Sequence, residues 1–173
     1  MSRTFRRHGD GVRMHLQDFE VELLETLQAA LASALERADP EDPVVRRLFP
    51  ATVTGDEEAD ADLRGMIHED LLRDRLRGLE ALLDLLERGT PKGRAVRVDL
   101  EDDEPMLVLG VLNDLRLAIG AQVDIEHLDR TSIDPKGPVA YRLAVMDHLA
   151  WLQEQLLRVI DPVSTTVYEE EEP

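Results

Sequence analysis

Asn113, Asp114 and Arg116 interrupt an otherwise apolar stretch, Val111-Leu112-Asn113-Asp114-Leu115-Arg116-Leu117-Ala118-Ile119-Gly120-Ala121-Gln122-Val123-Asp124-Ile125, and are the residues of this chain best placed to do chemistry. A carboxamide, a carboxylate and a guanidinium this close together can hold a small anion, or can satisfy one another and neighbouring charges in an interior. Projected at 3.6 residues per turn, Arg116 falls between Leu109 and Leu112, Arg75 between Leu79 and Leu82, and Glu20 between Leu27 and Leu31. Three charges are therefore directed at the core, and an unpaired buried charge is too costly to keep. The expectation is a structural ion-pair network in which Glu20 meets Arg75 or Arg116, with Asp124 as a spare acceptor. Arginine, with its planar fork of donors, suits such pairing better than lysine. The alternative is a small-anion pocket, in a binding protein or an enzyme, lined by Arg75, Arg116 and Asn113. Asn113 and Asp114 are expected to pair with backbone or side chains rather than with a ligand.

Other constellations are weaker. His8, His15, His68, His127 and His148 are scattered, His68-Glu69 lacks the second histidine of a zinc-protease helix, and no serine sits in a nucleophile elbow. Asp124, Glu126 and His127 have metal-ligand types in a short loop but no further ligand to complete a geometry. No enzymatic activity, metal or cofactor is expected. Trp151 breaks the pattern of the last helix, lying off its apolar stripe near Ala140, Ala144, Asp147 and Arg158, where it reads equally as an interface anchor, for a partner or a second copy in a homodimer, or as a ring packed under a loop or the tail.

Composition bounds the rest. The 173 residues show no internal repeat, and 43% hydrophobic content suffices for a core, so one domain over 1–162 with an acidic tail over 163–173 is expected. The absence of cysteine excludes disulfides, thiolate metal sites and thiol switches within the chain, and suits a reducing compartment, the cytoplasm. No apolar run reaches membrane-span length, and Met1 to Arg13 has no apolar core for a signal peptide, so neither a membrane association nor a cleaved leader is expected. A net charge of -17 repels phosphate backbones and argues against direct DNA binding. Arg3, Arg6, Arg7 and Arg13 form a local exception, opposite in sign to Glu169 to Glu172 at the other end; a solvated terminus is the preferred reading over a nucleic-acid arm, since only Phe5 interleaves them.

The elements that must position these residues follow from pattern. Thr4 to Arg7 and Val12 to Leu16 flank Gly9-Asp10-Gly11 as a hairpin. Asp18 offers an N-cap for a helix over Phe19 to Ala38, with Leu24, Leu27, Leu31 and Leu35 on one face. A proline-punctuated linker follows, pinned by Leu48 and Phe49. A short acidic helix from Asp56 to about Ile67 precedes a longer one over Glu69 to Arg88, with Leu72, Leu76, Leu79, Leu83 and Leu86 buried and Gly89 at its C-cap. Arg94 to Leu100 alternates as a short edge strand that can join the hairpin. The central helix spans about Asp102 to Gly120, and the last runs from Val139 to Ile160 behind Pro138, burying Val145, Met146, Leu149, Leu152, Leu156, Leu157 and Ile160. The fold class is mainly α: a bundle of about five helices with a small antiparallel sheet made of the N-terminal hairpin and one short strand.

Leu112-Asn113-Asp114-Leu115-Arg116-Leu117-Ala118-Ile119-Gly120, with Arg47-Leu48-Phe49-Pro50 upstream and the leucine helix around Arg75, resembles the actinobacterial domain-of-unknown-function family of AosR-like oxidative-stress transcriptional regulators. The resemblance runs over nearly the whole chain; Asn-Asp-Leu-Arg-Leu is its specific element, whereas leucine helices are common. Eighteen arginines against two lysines suit a GC-rich actinobacterial genome. The resemblance implies a cytoplasmic regulator that works with the transcription machinery, RNA polymerase or a sigma factor, under redox stress. Without cysteine, this chain must sense by other means or only transmit.

Overall fold

The computed structural model describes residues 3–50 and 57–161, and among them five helices stand against one four-stranded antiparallel sheet. β1 (Phe5–His8) and β2 (Gly11–Gln17) form the hairpin, α1 spans Asp18–Arg37, α2 Pro43–Leu48, α3 Glu57–Glu87, β3 Thr90–Pro91, β4 Ala95–Leu100, α4 Glu104–Gln122 and α5 Pro138–Ile160. The expected fold class is therefore the observed one. The acidic run near the C-terminus lies outside the described residues.

Gly9 supplies the positive φ, 58°, that a two-residue hairpin turn needs at its first position. Val12, Met14 and Leu16 alternate inward along β2, and Val98 and Leu100 do so along β4. This apolar face meets leucines of α1 and the C-terminal half of α3. Across β2 and β4, Arg13 and Asp99 stand directly opposite and pair through Nε–Oδ1 at 2.5 Å and Nη2–Oδ2 at 2.9 Å. At the same residue of β4, Arg88 ties the end of α3 to the sheet by donating to the Asp99 carbonyl at 2.8 Å, and it also pairs with Glu104 at the start of α4.

Several expectations need correction. The segment 94–100 is no edge: the order is β1-β2-β4-β3, with Thr90–Pro91 outermost. The proline-rich linker contains α2, because Asp42 caps it by accepting from the Val44 N–H at 2.8 Å and Val44, Val45 and Leu48 are buried. The two helices expected over 56–88 are one, since no proline separates them and Gly65 alone does not break a helix. Its buried positions include Leu82 and Leu85, whereas Leu83 is only half-buried. α1 is capped at Gln17 rather than Asp18, with Glu20 reaching back to the Gln17 N–H at 2.7 Å. Gly89 needs no left-handed backbone; its merit is room, since a Cβ there would lie 2.3 Å from a Val96 methyl.

Hydrogen bonding from Arg13 holds the Asp99 carboxyl below the usual carboxylate range, and Arg88 does the same to Glu104. Each group stays ionised in the fold at a pH where the unfolded chain takes up a proton. Their contribution is complete above the unfolded values, about 4, and disappears as pH falls through the lower folded values. Wild-type stability in urea should thus decline on acidification below about pH 4, and Asp99→Asn should show a shallower decline there; identical acid limbs would remove Asp99 from the account. Gly11 allows a second test. Its Cβ would sit 2.2 Å from the Leu100 carbonyl oxygen, whereas one at Gly110 on α4 meets nothing within 4 Å. Gly11→Ala should cost about 2 kcal/mol or more and Gly110→Ala should gain roughly 0.5–1 kcal/mol in chemical denaturation.

Candidate functional site

α4 is packed against α1, α2, α3 and α5, so its polar residues must be answered from other elements. Asp114 accepts from Nη1 of Arg75 on α3, and the Arg75 guanidinium carbon lies 5.5 Å from the Phe49 ring centroid with Nη2 turned toward the Leu48 carbonyl. Arg116 donates through Nη1 to Oε1 of Gln153 on α5 at 2.6 Å, and Gln153 Nε2 approaches the Leu109 carbonyl at 3.4 Å. Arg116 has no carboxylate partner among the described residues, and its Nε is buried without an acceptor. Asn113 is exposed rather than enclosed, and so is Asp124, which has φ 50° and lies 2.9 Å from His127 Nδ1.

Glu20 sits elsewhere. Its side chain is buried at the start of α1, and its second oxygen lies 2.9 Å from Nε2 of His148 on α5. Since a carboxylate only accepts, the imidazole donates. The pairing of Glu20 with Arg75 or Arg116 is thus incorrect, because a helical projection gives the facing direction of a side chain but not which neighbour stands opposite. Arg75 and Arg116 likewise face different neighbours, and Arg75 does not line the cleft that Arg116 helps to form.

A cleft of about 570 Å³ opens between α2, α4 and the start of the following loop, lined by Arg46, Arg116, Asn113, Leu117, Ile125 and Met146 among others. On another side of the molecule, the His148 ring stacks on Trp151 at 5.6 Å between centroids and lies 6.0 Å from Phe19. Trp151, Phe19 and Tyr141 are 43%, 59% and 67% exposed, and a shallow groove joins Phe19, Tyr141 and His148. Arg158 pairs with Glu154 one turn back on α5 at 2.6 Å. Of the N-terminal arginines, Arg3, Arg6 and Arg7 are exposed, whereas Arg13 is committed to Asp99. No cluster of three metal-ligating side chains occurs among the described residues, so Asp124, Glu126 and His127 do not assemble into one.

Gln153, His148 and Arg46 were not singled out by sequence. Gln153 carried a signal: it is four residues from Leu149 and three from Leu156, within the buried stripe, and it takes the interior place expected of Leu157, which is exposed. His148 is three residues from Trp151, on the same face.

The chain matches the family described as "Domain of unknown function (DUF2017)" over residues 2–160, and it belongs to that family. It is 25% identical to the oxidative stress regulator AosR of Mycobacterium tuberculosis, over 91% of this chain and 86% of that protein. It is 28% identical to the putative oxidative stress regulator AosR of Mycobacterium leprae, over 78% of this chain and 64% of that one. No solved structure matches it. No helix among the described residues is long and apolar enough to cross a membrane.

The Arg75 and Asp114 side chains are mostly buried, so each left alone is a stranded charge. Arg75→Met and Asp114→Asn should each cost about 1–3 kcal/mol, and the double variant should cost less than their sum by about 1 kcal/mol or more. Additive losses in a urea double-mutant cycle would show that the pair contributes nothing jointly.

Proposed function

We propose that this protein is a non-enzymatic regulator in the oxidative-stress response, acting in the cytoplasm through protein contacts rather than base readout. The relatives named as oxidative stress regulators support the regulatory role. The observation that carries the mode of action is the aromatic face: three of the chain's six Phe, Tyr and Trp residues, Phe19, Tyr141 and Trp151, are exposed together around His148. Exposed aromatic rings grouped around one site are characteristic anchors of protein interfaces. His148, held by Glu20, stacks on the Trp151 ring, a contact that lowers the ordering cost of docking.

The partner in this reading is the transcription machinery, RNA polymerase or a sigma factor, and a second copy of the chain is the competing occupant. A chain without cysteine either senses redox stress by other means or only relays it from such a partner. The net charge of -17 disfavours DNA as the surface recognised. The test is capture from the protein's own cell extract at moderate salt, with Trp151→Ala as control and oligomeric state followed by light scattering. RNA polymerase or a sigma factor should be recovered by the wild type and lost with Trp151→Ala. A variant that keeps every partner and its oligomeric state would sink the proposal. Salt-sensitive DNA binding abolished by replacing Arg6 and Arg7 would transfer the function to the hairpin.

A further inference from the structure

We propose that the cleft between α2, α4 and α5 is a binding site for a small organic carboxylate, its head held by Arg116 and Arg46 and its apolar body laid against Leu117, Ile125 and Met146. Away from the aromatic face, Arg116 carries a charge that no carboxylate among the described residues neutralises. Arg116 rises from the enclosed helix α4 and meets only a neutral acceptor, Gln153 Oε1. Its Nη2 donates to nothing among the described residues, and the side chain forms part of the cleft wall. Interior arginines are ordinarily matched with a carboxylate, as Arg75 is with Asp114. The partner Arg116 lacks is therefore an anion, and the cleft is where one can enter.

The surroundings favour the same class. Arg46 lines the cleft and makes no ion pair among the described residues, and Asn113 adds an exposed carboxamide within reach of the same space. Two acidic side chains also line it, but each already has a partner: Asp124 lies beside His127, and Glu126 beside Arg47 at 3.1 Å. The last carbonyls of α4, at Ile119, Gly120 and Ala121, accept from the N–H groups of Val123, Ile125 and Asp124. These three helix-end carbonyls are thus occupied, and Arg46, Arg116 and Asn113 add donors to the cleft wall. Three arginines against two carboxylates make this wall locally cationic on a chain of net charge -17. Leu117, Ile125 and Met146 supply an apolar wall that a bare inorganic anion would leave unused. At about 570 Å³ the space falls within the range of about 300–1,000 Å³ typical of small-molecule sites.

The test titrates the full chain with octanoate by calorimetry and follows the Met146 methyl resonance. 1-Octanol supplies the apolar body without the head, and inorganic phosphate an anion without the body. Octanoate should bind more tightly than either and shift Met146. Arg46→Ala, a surface change that leaves the core intact, should weaken it roughly fivefold or more. Arg116→Gln should abolish binding while a melting curve reports whether the fold persists; if that variant unfolds, Arg46→Ala and the two controls decide. The proposal is overturned by no octanoate binding in the millimolar range, by equal binding of octanol or phosphate, or by octanoate affinity unchanged in Arg46→Ala.

Discussion

Polar side chains on the packed faces of α4 must be answered by the four helices around it, and two of them matter. Asp114 is answered from α3 by Arg75, and Arg116 from α5 by Gln153. Rotating α3 or α5 about its axis by one residue would separate these pairs, so they act with the apolar stripes to fix how each helix faces α4. Arg75 also fixes α2. Its guanidinium faces the Leu48 carbonyl and the Phe49 ring, giving six residues too short to be stable as a helix a definite seat.

How much of this could be read in the sequence follows from the range of the forces involved. The hairpin, α1, β4 and α5 rest on local periodicity and turn chemistry, and all four were legible. α2 was hidden because its three buried residues between Pro43 and Pro50 repeat too few times to show a period. The unity of α3 was hidden because an acidic, leucine-poor first half and a leucine-rich second half look like different elements. Among the site residues, the inward direction of Arg75 and Arg116 was legible, but their partners were not, since Gln153 and Asp114 are 37 or more residues away in sequence. Asn113 looked enclosed on a helix so apolar, and is exposed because the wall beside it is a cleft rather than a packed neighbour.

The two candidate recognition surfaces differ in physical character yet share α5. Met146 borders the arginine cleft, and His148 and Trp151, a few residues on, belong to the aromatic face. The cleft offers charge and a confined volume, suited to a small molecule; the aromatic face offers area and little enclosure, suited to a macromolecule. Glu20 joins the second surface to the sheet, because one of its oxygens caps the strand-to-helix junction at Gln17 while the other holds His148.

The margins of the sheet have their own consequence. One outer strand is four residues long, with Arg6 and Arg7 exposed on it, and the other is two residues long and ends in Pro91, which has no N–H to donate. Neither margin offers a long run of free backbone groups on which another chain could lay an extra strand. A partner gains little from reading the main chain of this protein at those edges. Shape and side-chain identity on the helices therefore become the principal vocabulary of recognition, and substitution of a few surface residues can change partners without disturbing the sheet.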